Sequence, residues 1–63
     1  MGGGGIIQQH AAIRTAVNDP SIFTALPAKA QARVEQISLK GLADWSEDET
    51  CFMAAMIMVA VHS

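Results

Sequence analysis

The pattern of apolar and polar positions divides the chain into three long segments and one short one. Ile6, His10, Ile13 and Val17 recur at helical spacing, with Gln8, Gln9 and Thr15 off that line, and predict a first helix over 6–18. Asn18-Asp19-Pro20 ends it, because Asn and Asp favour turns and the residue before proline avoids the α region. Asp19 then serves as N-cap and Pro20 as first residue of a short helical turn that carries Ile22, Phe23 and Leu26 inward. Pro27 opens a second long helix to Lys40, in which Ala30, Val34 and Ile37 trace one apolar face that Leu39 widens. Lys29, Arg33, Glu35 and Lys40 form its wet side. Gly41 suits a left-handed residue after this helix, with Leu42 folding back on Ile37.

The last segment organises the rest. Ser46 with Glu49 three residues on has the spacing of a capping box, and Glu47 and Asp48 occupy the first turn, where the helix dipole favours acids. From Cys51 to Val61 the chain is apolar without a break. Its β-branched end, Ile57 to Val61, makes a strand the lesser alternative there. A helix apolar all round is either deeply buried or in a membrane. Eleven residues at 1.5 Å each reach about 16 Å, short of the ~30 Å hydrocarbon core, so burial is the expectation. A single chain of 63 residues has little material to provide it. The expected fold is therefore all-α: one domain over 6–63, a small three-helix arrangement with a short extra helical turn, completed by oligomerisation through the C-terminal helix. The glycines of residues 1–5 are expected to be a flexible lead. They match neither a myristoylation signal, which asks for Ser or Thr where Ile6 stands, nor a phosphate-binding loop.

Composition adjusts this picture. Hydrophobic residues make up 51% of the chain, more than so small a volume can hide, which favours a partner surface; a two-fold dimer is the commonest solution. Four Lys and Arg against six Asp and Glu give no basic footprint for nucleic acid. The single cysteine, Cys51, and the lack of a basic, apolar leader suggest a cytoplasmic location.

Candidate chemistry is sparse. His10 on an apolar face meets Ile13 and Arg14 at the spacings where a second metal ligand would stand, and reads as a histidine at the edge of a core or interface. His62 reads as a helix-end residue, and no spacing links it with His10 and Cys51. Cys51 lies near a helix start, but three carboxylates precede it and oppose a thiolate, so it reads as a small buried hydrophobe. No catalytic group, metal or cofactor is expected, and no enzyme. Trp45, Phe52, Met53, Met56, Ile57 and Val59 are the candidate interaction residues, with Met-rich character suited to an adaptable surface. Asp44, Glu47, Asp48 and Glu49 form a candidate acidic patch. These residues point to a small non-enzymatic interaction module, either a homodimer or an inhibitor or adaptor of a larger protein. A dimeric regulator at nucleic acid, using Lys29 and Arg33, and a membrane-surface peptide are the alternatives.

Overall fold

The computed structural model describes residues 5–62. It is all-α among those residues: α1 (Gly5–Val17), α2 (Pro20–Phe23), α3 (Ala28–Leu39), a 3₁₀ turn (Leu42–Asp44) and α4 (Glu47–Val61). Helix α4 packs against α1, α2 and α3 in turn, so it is the central element. Its β-branched end stays helical to Val61.

Local signals set the helix starts. The Ser46 hydroxyl accepts from the Glu49 amide at 3.1 Å, and the Glu49 carboxylate accepts from the Ser46 amide at 2.8 Å, which completes the capping box. Asp19 caps α2 by accepting from the Ser21 amide at 2.9 Å. Two side chains then fasten α3 to the preceding elements. Gln31 donates to the carbonyls of Phe23 and Leu26 at 3.0 and 3.1 Å, and Asn18 donates to Ser38 Oγ at 2.9 Å.

The core is small and continuous: Val17 from α1, Leu26, Val34 and Ile37 from α3 and its approach, Trp45 from the link, and Met53 from α4. Ile22 and Phe23 of the short helix pack against it, half-buried.

Four expectations change. Gly5 belongs to α1 rather than to a lead, and residues 1–4 of that expected lead lie outside the described residues. Gly41 is not left-handed: its φ is −61° and ψ 145°. Lys40 turns extended after its amide bonds the Ile37 carbonyl, and the Asp44 amide returns to Gly41 at 2.9 Å, so a 3₁₀ turn replaces the expected closure. Leu39 is 88% exposed, because it stands about 200° around the helix from buried Ile37. Ile6 is 65% exposed, since α4 begins only at Glu47 and offers little cover one turn before His10.

Among the described residues there is one ion pair, Lys40 Nζ to Glu49 Oε2 at 2.7 Å, which joins the end of α3 to the start of α4. The hydrogen bond from Lys40 and that from the Ser46 amide hold the Glu49 carboxyl below its ordinary value of 4.5. A carboxyl lowered on folding adds stability above its unfolded value and loses it as pH falls through the folded one. Thermal melts from neutral pH to below pH 4.5 are therefore expected to show a fall in midpoint, which Glu49→Gln flattens. Identical slopes for the two proteins would remove Glu49 as a cause.

Candidate interaction surface

Helices α3 and α4 run antiparallel. Lys40 pairs with Glu49, Arg33 sits over Phe52 with its guanidinium carbon 4.8 Å from the ring centroid, and Lys29 shares a groove with Val59. That groove, about 460 Å³, has a floor of Pro27, Ala30, Phe52, Met56 and Val59. The alanine leaves α3 thin, so the facing side chains of α4 do not close the gap. Lys29 and Arg33, one turn apart, border the opening, and the arginine shelters one face of Phe52.

The groove continues onto the free side of α4. Met58, Val59 and Val61 are 58%, 45% and 62% exposed, and Cys51 and Ala55 are also exposed. At 100° per residue, Cys51, Ala55, Met58 and His62 fall within one narrow arc, beside the arc of Phe52, Met56 and Val59. Asp48 lies on the same side, one turn ahead of this apolar surface. The exposure of Cys51 corrects the expectation of a buried thiol: it stands about 200° from Met53, the α4 residue that is fully enclosed.

The predicted interaction residues thus divide. Phe52, Met56 and Val59 line the groove. Ile57 is half-buried against the core. Met53 is fully enclosed, and Trp45 nearly so with only an edge at the second cleft, because the fold itself needs them as core. Lys29, Arg33, Pro27 and Ala30 were not among the predicted set. The i, i+4 spacing of the two cations was visible in the sequence, but their position beside Phe52 depends on how α3 packs. In the acidic patch, Asp44, Glu47 and Asp48 are exposed, whereas Glu49 is engaged by Lys40 and Ser46.

His10 is buried and joins three elements. Nδ1 lies 2.9 Å from the Leu42 carbonyl and Nε2 lies 3.1 Å from the Thr50 hydroxyl. Its ring stacks on Trp45 with centroids 4.9 Å apart and planes 23° from parallel. The Trp45 indole in turn donates to the Ile37 carbonyl at 3.1 Å. A carbonyl only accepts, so Nδ1 carries a proton and the neutral ring accepts the Thr50 hydroxyl proton at Nε2. The Thr50 hydroxyl also lies 3.0 Å from the Ser46 carbonyl, a second acceptor for its proton. A second, smaller cleft of about 320 Å³ opens beside this cluster, between Ile6, Gln9, Glu47 and Thr50.

Among the described residues, no group of three His, Cys, Asp or Glu side chains is placed to hold a metal ion. No helix of those residues is long and apolar enough to cross a membrane. Comparison of the chain with protein-family models, with curated proteins and with solved structures finds no match.

Proposed function

We propose that this chain is a small non-enzymatic protein–protein interaction module that works through the free side of α4 and the groove between α3 and α4. One observation carries the reading: an apolar surface, built from Phe52, Ala55, Met56, Met58 and Val59, left open in a domain with more apolar residues than its small volume can hide. A helix with a solvated outer face would carry polar residues there, and this one carries none between Cys51 and Val61. The engagement of both His10 nitrogens within the fold supports the non-enzymatic part. The free, exposed Cys51 suits the reducing cytoplasm, where we place the protein.

The test is a photo-activated crosslinker introduced at Val59 and, in a second protein, at exposed Glu35 outside the groove, both expressed in cells. Adducts of one defined mass from position 59, absent from position 35, are expected. Equal, diffuse labelling from both positions would defeat the reading.

A further inference from the structure

We infer that the occupant of this surface is a second copy of the chain, bound through an antiparallel α4–α4 pair with its two-fold axis near Ala55. The inference rests on the interaction reading above and names the partner for it. Charge placement carries it. Helix α4 begins with exposed Glu47 and Asp48, and the opposite end of its apolar surface lies beside Lys29 and ends at His62. Lys29, Glu47 and Asp48 have no ion-pair partner among the described residues, where the single pair is Lys40–Glu49.

A parallel pair would set the two acidic starts against each other, together with the two positive dipole ends, and would leave both Lys29 side chains at the far end. The antiparallel pair converts that repulsion into attraction. With the axis at Ala55, Asp48 stands level with His62 of the partner subunit, and three residues along α4 from Val59, which flanks Lys29 in the groove. Three residues of helix are about 4.5 Å, within the reach of a lysine side chain. The chain thus carries both halves of one charge pattern, separated by an apolar span. The centre also fits. Ala55 is small and exposed, so two α4 helices can approach closely there, while Met58 and Val59 of each copy cover Cys51 and Phe52 of the other. The Met side chains adapt to that contact without a preformed hole.

The experiment is the solution mass across a dilution series, by sedimentation, for four proteins. The parent is expected to be a dimer that dissociates on dilution. Ala55→Glu, on an exposed helical position, is expected to be monomeric with unchanged far-ultraviolet circular dichroism. Asp48→Lys and Lys29→Glu are each expected to weaken the dimer about tenfold, since each reverses two exposed pairs. The double variant, which restores opposite charges, is expected to return to within about threefold of the parent. Oxidation supplies an independent check on direction. Cys51 and its mate stand about 12 Å apart along the axis of the antiparallel pair, too far for a disulfide, whereas Ala55→Cys in a Cys51→Ser background is expected to crosslink. A parent that stays monomeric at every concentration overturns the inference. So does a dimer indifferent to Ala55→Glu, or one that oxidises readily through Cys51. If the Val59 crosslink then still gives one adduct, of a mass other than twice the chain's, the interaction reading stands and the second copy alone falls.

Discussion

Trp45→Ala is expected to remove most of the protein's stability and to move its urea midpoint far down. Trp45 is 6% exposed, stacks on His10 and donates to the Ile37 carbonyl, so one side chain ties together α1, α3 and the link into α4. Truncation of a buried Trp to Ala costs about 3–5 kcal/mol. A domain of this length has a total stability of only about 3–9 kcal/mol on the usual per-residue scale, so most of it disappears. Trp45→Phe separates the two contributions. It keeps a ring over His10 and removes the indole donor, and it should cost about 1–2 kcal/mol, because the Ile37 carbonyl still accepts from the Lys40 amide. Urea unfolding followed by circular dichroism gives both values, since the variants lack the only Trp for fluorescence. A Trp45→Ala midpoint close to the parent's would show that the stack is peripheral to stability.

The second large effect contrasts two methionines on one helix. Met53 has no exposed surface and packs within the cluster of Val17, Leu26, Val34 and Ile37. Met53→Ala should cost about 2–5 kcal/mol, the range for a long aliphatic side chain removed from a core. Met53→Leu conserves volume and should cost less than about 1.5 kcal/mol. Met58, five residues on and turned toward solvent, is 58% exposed, and Met58→Ala should change the stability of the single chain by less than about 0.5 kcal/mol. All three must be compared at one protein concentration, because any self-association adds a concentration-dependent term. Denaturant midpoints decide the matter. Equal losses for Met53→Ala and Met58→Ala at a concentration where the chain is monomeric would contradict the orientation of α4.

This contrast marks what the sequence alone determined. Helix starts came from near neighbours: Ser46 and Glu49 are three residues apart, Asp19 and Ser21 two, and Pro27 stands at the N-cap of α3. Such signals act within one turn, so they are legible from order alone. The core positions Val17, Leu26, Val34 and Ile37 were also legible, because polar residues around them fix the period. The acidic start and apolar body of α4 identified it as the central element, and it touches every other helix.

Tertiary structure decided the rest. A helix apolar on every side has no period to say which arc turns inward, so Met53 and Met58 look alike until α1 and α3 pack against α4. The stack of His10 on Trp45 and its bond to Thr50 join residues 35 and 40 positions apart, and nothing in the local chemistry of either end announces the other. Gly41 carries the residue type of a left-handed cap, yet the chain runs extended there, because the indole of Trp45 returns to Ile37 over the end of α3. The cations of Lys29 and Arg33 became the border of an apolar groove only once α3 lay antiparallel to α4. In a domain this small, each long-range contact selects among local options of nearly equal free energy, and packing makes that selection.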